Sequence, residues 1–414
     1  MSEWKKVKLG DYCLKIGSGS TPKGGSTVYV ESGTSFIRSQ NVYNLSFDYN
    51  GLTHITEEAA NKLKGVTVFD EDILLNITGD SVARTCIVPN DVLPARVNQH
   101  VAIVRVDRKK MNGRFLNYYL ASPRMQAYML SLAVGKGASR NAMTKQMIEN
   151  FEVPCPPLDT QQRIATILSR YDSLIENYQK QIKLLEESAQ RLYKEWFIDL
   201  RFPGHENTKI VNGVPEGWEK KTIDDVTCKV TTGLNPRKNF VLGKGSNYYV
   251  TIKNMADNTL FLDDRCDRVD NEALEKINKR SDLKIGDILF SGIGTIGRVA
   301  LVDIPTNNWN VSESVFTLRV NDIVTKEFLY LMLLSPNMQN YCQSNAHGAA
   351  QKGIRMADLK AYSFNLPPFG VIQKFTNLVT PTIKKVSSIR NQIRLLTEAR
   401  DRLLPKLMSG EIEI

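Results

Sequence analysis

The chain has 414 residues, of which 42% are hydrophobic, and it carries a formal net charge of +10 with a pI of about 9.1. This length predicts about two to four domains with packed cores. The excess of basic over acidic residues favours an acidic partner, and nucleic acid is the commonest such partner.

The six cysteines are scattered without a Cys-x-x-Cys pair, which argues against a zinc site and against a disulfide framework. The opening segment, MSEWKKVKLGDY, has no apolar signal core. No run approaches the roughly 18 apolar residues of a membrane span. We therefore expect a cytoplasmic protein without a metal site.

The first element in chain order is a domain over residues 1–155. It is dense in short β-like runs such as TSFIRSQNV, DILLNIT and HVAIVRV, separated by Gly, Pro, Asn and Asp. A helical stretch follows at NGRFLNYYLASPRMQAYMLSL. This mixture predicts an α+β domain.

The second element is a long helix over residues 156–200. Its apolar residues alternate at spacings of three and four, which is the heptad pattern of a coiled coil. The seam of this helix comprises Leu168, Tyr171, Ile175, Tyr178, Ile182, Leu185, Ala189, Leu192 and Trp196. The segment after it, RFPGHENTKIVNGVPEG (residues 201–217), is predicted to be a linker.

The rest of the chain repeats these elements in the same order. Trp4 matches Trp218, an offset of 214 residues (218 − 4), and Ser122-Pro123 matches Ser335-Pro336. DEDILLNITGDSVARTCIV aligns with IGDILFSGIGTIGRVALV, and VNQHVAIVRV aligns with VSESVFTLRV. The repeat predicts a second α+β domain over residues 218–368.

A second long helix is predicted over residues 369–414, in register with the first. Its matching seam includes Val386, Ile389, Ile393, Leu396 and Leu403. Thr380 and Pro381 form a typical N-cap and first helical residue, so we expect the straight part of this helix to begin there.

Two matching seams in one chain predict that the two helices pair with each other. The consecutive copies then give an antiparallel coiled coil that separates two similar domains, related by a pseudo-twofold internal repeat. The alternative is that each helix packs only on its own domain. About 28 residues of straight helix span about 40 Å, close to the roughly 34 Å turn of B-DNA.

One glycine motif in the second domain has the spacing of a cofactor loop. Gly292-x-Gly294-x-x-Gly297 matches a dinucleotide fingerprint, and Phe290-x-Gly292-x-Gly294 matches the loop of S-adenosylmethionine methyltransferases. The aligned residues of the first copy keep only Gly79, and a strand-like run follows each motif. Because a pyrophosphate site needs a helix there, the pattern predicts a tight β-turn instead.

Catalytic patterns are otherwise weak. The LPPF segment resembles the Pro-Pro-aromatic motif of amino-methyltransferases, but Leu366 stands where that chemistry needs a hydrogen-bonding side chain. The histidines have no triad or ligand spacing, and there is no P-loop. We expect catalysis to reside in a partner.

Candidate DNA-binding residues are basic or amide side chains that recur in loops at corresponding places of the two copies. Arg and Lys bond guanine edges, Asn and Gln bond adenine edges, and all of them bind phosphate. In the first copy they are Thr21, Lys23, Arg38, Gln40, Asn41, Lys136, Ser139, Arg140 and Asn141. In the second copy they are Asn235, Arg237, Lys238, Lys253, Asn254, Gln351, Lys352 and Arg355.

Taken together, the chain resembles the specificity subunit of Type I restriction-modification systems. The resemblance is carried by WKKVKLGD and WEKKTIDD, by SGSTPKGG, by VPCPPLDTQQRIATILSRYDSLI, and by LPPFGVIQKFTNLV and RDRLLPKLMSGEIEI. The second half departs from the family pattern, since Phe369 replaces a leucine and Pro381 interrupts the helix.

The resemblance implies two target-recognition domains and two conserved spacer helices. It implies double-stranded DNA as ligand, with a bipartite asymmetric site. Two modification subunits would carry S-adenosylmethionine, and restriction subunits would use ATP and Mg²⁺, so this chain would bind no cofactor and catalyse nothing. Partner contacts are expected at Glu176, Lys183, Glu187 and Arg390 beside the seams.

Two alternatives remain open from the sequence. The chain could itself be a DNA adenine methyltransferase, which Phe290-x-Gly-x-Gly favours and Leu366 opposes. It could also be a scaffold that does not bind DNA.

Overall fold

The fold is described from a computed structural model, which describes residues 4–134, 141–256, 258–348 and 352–414. The chain forms two compact units. Unit 1 combines Met1–Gln179 with Asn391–Ile414, and unit 2 comprises Lys180–Arg390. Each long helix therefore contributes residues to both units.

The core sheet of unit 1 is antiparallel. Its strands lie in the spatial order Thr85–Ile87, Ile73–Asn76, Val101–Val106 and Cys13–Ser18. All residues of Ile73–Asn76 are buried, because this central strand is covered on both faces. A run of β-branched and aliphatic residues suits such a strand.

A second sheet of unit 1 contains a parallel strand pair, Thr34–Ile37 with Ala95–Val97. The order in this sheet is Tyr29–Val30, Thr53–Ile55, Thr34–Ile37, Ala95–Val97 and Thr67–Val68. Two further antiparallel pairs join Lys6–Lys8 to Glu152–Pro154 and Val42–Tyr43 to Ser46–Phe47.

The short helices of unit 1 pack on its two sheets, since Glu57–Lys62 packs on the second sheet and the others pack on the core sheet. Besides the long helices they are Glu57–Lys62, Gly113–Ala121, Pro123–Ala133 and Lys145–Glu149. Asn112 caps the second of these, because its side chain accepts a 3.0 Å hydrogen bond from the Phe115 amide. The cap aims Leu116 and Leu120 into the core, where both are fully buried.

Unit 2 repeats the four-stranded core sheet of unit 1 and three strands of its second sheet. Its core sheet has the order Val299–Leu301, Ile288–Ser291, Val315–Val320 and Thr227–Thr232. In its second sheet the order is Asp267–Val269, Asn247–Val250 and Trp309–Val311, and the last two strands are again parallel. The internal repeat predicted from the sequence is thus a repeat of the fold.

The remaining elements of unit 2 also have counterparts in unit 1. Antiparallel pairs join Glu219–Thr222 to Ser363–Leu366 and Met255–Ala256 to Thr259–Leu260. The helices besides the long ones are Asn271–Ser281, Lys326–Leu334, Pro336–Ser344 and Met356–Lys360.

The predicted linker is folded onto unit 2. It contains a short hairpin, Ile210–Val211 with Val214–Pro215. Phe202 is buried, with its ring 5.2 Å from that of Trp218. Aromatic packing therefore anchors this segment.

The first long helix spans Leu158–Tyr193 and continues as a π-helical turn over Lys194–Ile198. In unit 1 its fully buried Leu168 packs with Leu404 and Leu407 of the second long helix. Further along, Asp172 pairs with Arg400 at 2.7 Å. Since higher numbers on one helix meet lower numbers on the other, the helices run antiparallel in unit 1.

The same arrangement holds within unit 2. Glu186 of the first helix pairs with Arg390 of the second at 2.5 Å. About two turns after Glu186 on the first helix, the ring of Tyr193 lies 6.2 Å from that of Phe375. Both units thus contain an antiparallel helix pair with an ion pair beside an apolar seam.

Thr380 and Pro381 lie inside the second long helix. The helix runs without interruption over Phe369–Met408, so these two residues are not its N-cap and first residue. An interior proline costs roughly 3 kcal/mol of helix stability. Ile372, Phe375 and Val379 are buried in the core of unit 2, and their packing outweighs that cost.

Arg390 is also placed differently from the prediction of an exposed partner contact. Its side chain is only 19% exposed and is paired with Glu186. By contrast, the side chains of Lys183 and Glu187 are 77% and 58% exposed. Among the described residues, no helix is both long and apolar enough to cross a membrane.

Replacing Arg400 with Met tests the ion pair of unit 1. The change leaves the carboxylate of Asp172, which is 27% exposed, without its cation. We expect the free energy of unfolding, measured by urea denaturation, to fall by about 1–3 kcal/mol. Arg402→Met is the matched control, because Arg402 is 79% exposed, and it should change stability by less than about 0.5 kcal/mol. Equal losses in the two variants would contradict a stabilising role for the pair.

Candidate nucleic-acid interface

Several loops of unit 1 converge because of strand register. In the core sheet, Ser18 lies opposite Ala102 and Asn76 lies opposite Val101. In the second sheet, Ile37 is paired with Val97. The segments that leave these strands therefore meet at one end of the unit. We call this end, comprising residues 19–28, 38–41, 77–84, 98–100 and 141–144, the loop end of unit 1.

Unit 2 has an equivalent loop end, comprising residues 233–239, 251–254, 292–298, 312–314 and 352–355. Here Thr232 lies opposite Phe316, and Ser291 lies opposite Val315. Equivalent strands therefore lead into equivalent loops in the two units.

A close backbone contact ties two of these loops together in each unit. The amide of Gly19 donates to the carbonyl of Asn98 at 3.0 Å, and that of Gly233 donates to Ser312 at 3.2 Å. A Cβ atom at Gly19 would lie 1.7 Å from the carbonyl oxygen of Val97, and one at Gly233 would lie 1.6 Å from that of Val311. Only glycine fits at either position.

The cofactor-like glycines lie in the turn of an antiparallel hairpin. Gly292 to Gly297 connect Ile288–Ser291 with Val299–Leu301, so a strand follows the motif where a pyrophosphate site needs a helix. Gly294 has φ +82° and its amide donates to the carbonyl of Lys352 at 2.8 Å. The tight turn predicted from the sequence is confirmed.

Unit 1 uses the same turn to place a predicted site residue. Gly79 has φ +74°, and its amide donates to the carbonyl of Asn141 at 3.0 Å. Asn141 and Lys352 thus occupy equivalent places, and both are exposed.

The described candidates of unit 1 come together at its loop end. Thr21 and Lys23 are exposed, and the Thr21 hydroxyl donates to the side-chain oxygen of Gln99 at 2.6 Å. Arg38 and Gln40 both donate to the carbonyl of Gly51, at 2.7 Å and 3.2 Å. Arg38 and Gln40 retain further donors for a ligand, and the Thr21 hydroxyl retains acceptor capacity.

The candidates of unit 2 gather in the same way. Asn235 caps a short turn by accepting from the Arg237 amide at 2.9 Å, and its own amide donates to Glu313 at 2.8 Å. The exposed cations of this loop end are Arg237, Lys238, Lys253, Lys352 and Arg355. They form a basic surface that attracts phosphate.

Asn41 and Asn254 do not fit the prediction that they contact DNA. They are 0% and 2% exposed. The Asn41 side chain accepts from the Arg38 amide at 3.0 Å, and that of Asn254 accepts from the Thr251 amide at 2.9 Å. Both asparagines cap a turn from inside, so they hold neighbouring residues in place without reaching a ligand. Lys136, Ser139, Arg140 and Gln351 lie outside the described residues.

The structure adds three residues that the sequence patterns missed. Gln99 and His100 of unit 1, and Glu313 of unit 2, lie at the centre of their loop ends. His100 Nδ1 is 2.5 Å from the Thr78 hydroxyl. The available signal was the alignment of VNQHV with VSESV, which places Gln99 opposite Glu313.

The described residues offer little catalytic machinery. Among them, no group of His, Cys, Asp and Glu side chains could hold a metal ion. Burial raises the pKa of Cys86 and of Cys342 to about 12, so both thiols stay protonated at neutral pH. A protonated thiol is a poor nucleophile. The arrangement is suited to binding.

Replacing Gly19 with Ala tests the backbone contact that ties the loops. The added methyl group would overlap the Val97 carbonyl, so the loop must move. We expect a loss of about 2–4 kcal/mol in thermal or urea unfolding of unit 1. Gly17→Ala, two residues earlier and inside the strand Cys13–Ser18, is the control, because nothing lies within 4 Å of its added Cβ. A tolerated Gly19→Ala would show that the loop is not held by this contact.

Comparison with known proteins adds a family. The sequence model of the Type I restriction modification DNA specificity domain matches residues 1–187 and 215–393. The MjaIX specificity subunit of a Type I restriction enzyme from Methanocaldococcus jannaschii is 26% identical over 419 residues, which cover 100% of this chain and 94% of that one. The HindI specificity subunit from Haemophilus influenzae is 23% identical over 475 residues, which cover 100% of both.

A solved structure shares the fold. The S subunit of a Type-I restriction-modification system from M. genitalium superposes with a TM-score of 0.59 at 16% identity, over 98% of this chain and 96% of that one. Because the family model matches both repeats and the curated relatives match from end to end, the chain belongs to the Type I restriction-modification DNA specificity family.

Proposed function

We propose that this chain is the DNA sequence-recognition subunit of a Type I restriction-modification complex and binds a bipartite asymmetric site. The observation that carries the proposal is the duplicated loop end, which presents cations and amides from equivalent positions in two units of a family member. The target-recognition domains would be residues 1–155 and 218–368, the spacer helices 156–200 and 369–414, and the linker 201–217.

The exposed cations would hold the phosphate backbone. Lys23 of unit 1 and Lys238, Lys253 and Lys352 of unit 2 extend from loops whose backbone is fixed by hydrogen bonds. Contacts to phosphate fix the position and orientation of the protein on the duplex, whereas contacts to bases determine which sequence is recognised. Base contacts would come from Gln40 and from neighbouring side chains of the loop ends.

Asymmetry of the target follows from side chains that differ at equivalent positions. Thr21 corresponds to Asn235, Lys23 to Arg237, and Asn141 to Lys352. A shared scaffold with different donors and acceptors would select different bases in the two halves of the site.

Catalysis would belong to partner subunits. Two modification subunits would supply S-adenosylmethionine and methylate one adenine in each half-site after flipping it out of the duplex. Restriction subunits would use ATP and Mg²⁺, and the complex would act on DNA in the cytoplasm. Exposed side chains of the first long helix, such as Lys183 and Glu187, would contact the modification subunits. The hairpin geometry of Gly292 to Gly297 argues against an S-adenosylmethionine site on this chain.

Mapping methylated adenines tests the function directly. DNA from cells that carry the chain with its modification partner should show a split motif whose methyl groups lie about one helical turn apart. Deleting the chain should abolish this methylation. A methylation pattern that is continuous, or that is unchanged by the deletion, would contradict the proposal.

Replacing Lys253 with Gln tests phosphate contact at the loop end. We expect weaker binding to all sequences, and the slope of log K against log salt should shrink by about 0.9, since one phosphate contact is lost. Lys220→Gln is the control for charge. Lys220 is exposed on the strand Glu219–Thr222, which leads into the start of Thr227–Thr232. The loop end begins at Gly233, beyond the opposite end of Thr227–Thr232. A salt slope that changes equally in both variants would exclude a specific contact at Lys253.

A further inference from the structure

We propose that Glu313 and Gln99 are base-reading residues at equivalent positions of the two units. Glu313 would accept a hydrogen bond from the exocyclic amino group of a cytosine or adenine in the major groove, and Gln99 would recognise an adenine. The inference rests on the proposed function, since it names residues that would determine the sequence recognised.

The two residues occupy the same turn of a repeated scaffold. Gln99 lies between the parallel strand Ala95–Val97 and the core strand Val101–Val106. Glu313 lies between the equivalent strands Trp309–Val311 and Val315–Val320. The turn therefore bridges the two sheets of each unit at the loop end.

Each residue is oriented by a side chain from the same neighbouring loop. The Thr21 hydroxyl donates to Gln99 at 2.6 Å, and the equivalent Asn235 donates to Glu313 at 2.8 Å. The loops involved are the ones tied down at Gly19 and Gly233. A fixed orientation is what a base-specific hydrogen bond requires.

Glu313 has a second anchor. The hydroxyl of the buried Tyr249 lies 3.1 Å from its other carboxylate oxygen and 2.7 Å from the Leu234 carbonyl, so its single hydrogen is shared between these two acceptors. An ionised carboxylate offers about four acceptor positions. In the described part of the chain, Asn235 and Tyr249 occupy one position on each oxygen. Both oxygens thus retain acceptor capacity for a ligand.

The charge of Glu313 indicates what that ligand is. A carboxylate repels phosphate, yet this one belongs to the same loop end as the exposed cations Arg237, Lys238 and Lys352. It can favour DNA binding only where it meets a hydrogen-bond donor. In the major groove cytosine N4 and adenine N6 are donors, whereas guanine and thymine present acceptors to a residue at the same place. Glu313 would therefore exclude guanine and thymine.

Gln99 would act differently because its side chain is an amide. An amide both donates and accepts, which matches N6 and N7 of adenine. Different residues on one scaffold would then give different preferences in the two half-sites.

The test is selection of bound duplexes from a randomised library by the full chain in complex with its modification subunits. Wild type should select a bipartite motif with cytosine or adenine at one position of one half-site. If the selected base is cytosine, Glu313→Gln should shift the preference at that position toward adenine roughly five- to hundredfold. If the selected base is adenine, which glutamine also recognises, Glu313→Ala should lower the preference by a similar factor. The other half-site should stay the same.

Base analogues test whether Glu313 contacts the exocyclic amino group of the selected base. Removing the exocyclic amino group from the selected cytosine or adenine should weaken wild-type binding. With Glu313→Ala, which has no acceptor at this place, the same removal should have little effect. An equal effect of the analogue in both proteins would overturn the contact.

Three further variants provide controls. Asp322→Asn makes the same charge change at an exposed residue beyond the opposite end of Val315–Val320, and it should leave the motif unchanged. Gln99→Glu should alter one position in the other half-site only. Tyr249→Phe removes one anchor but keeps the carboxylate, and it should broaden the preference at the position assigned to Glu313.

The outcomes separate this inference from the function on which it rests. A wild-type complex without a bipartite preference would overturn the proposed function. A wild-type bipartite preference that is retained unchanged by Glu313→Ala and by Tyr249→Phe would overturn the inference alone. If the Glu313 variants bind all duplexes more weakly but select the same motif, Glu313 has a structural role only, and the inference is likewise overturned.

Discussion

The loop ends of both units depend on one close contact between backbones. At Gly19 and at Gly233 the chain leaves a core strand so close to a neighbouring carbonyl that no side chain can be accommodated. The contact fixes the following loop against the turn that joins the two sheets. Because backbone atoms alone make this contact, the side chains on both segments are free to differ between the units. A rigid frame with variable side chains is what a protein that distinguishes sequences requires.

The repeat extends from the strands to the details of hydrogen bonding, while the chemistry at the loop ends diverges. Asn41 and Asn254 cap equivalent turns from inside. Thr21 with Gln99, and Asn235 with Glu313, make equivalent hydrogen bonds with different groups. The residues that build the frame are thus distinct from the residues that are exposed on it. Exposed cations lie at both loop ends.

Features with a local cause could be predicted from the sequence, and features that depend on tertiary packing could not. The repeat, the long helices and the glycine turn follow from spacing and turn chemistry. Thr380 and Pro381 were misassigned as a helix start because buried Ile372, Phe375 and Val379 override the effect of Pro381. Asn41 was misassigned because burial of a capping amide is decided by the fold around it. Glu313 was missed because its partner Asn235 lies 78 residues away.

Unit 1 draws its core from both ends of the chain. Ile164 and Leu168 are fully buried against Leu404 and Leu407, which are made more than 200 residues later. At a translation rate of about 5–20 residues per second, this apolar stripe on the first helix stays exposed for at least about ten seconds. Only then have Leu404 and Leu407, which bury it, been made. Until then it is a surface to which a chaperone or a second nascent chain can bind. Synthesis of residues 391–414 therefore completes the first unit after every residue of the second has been made.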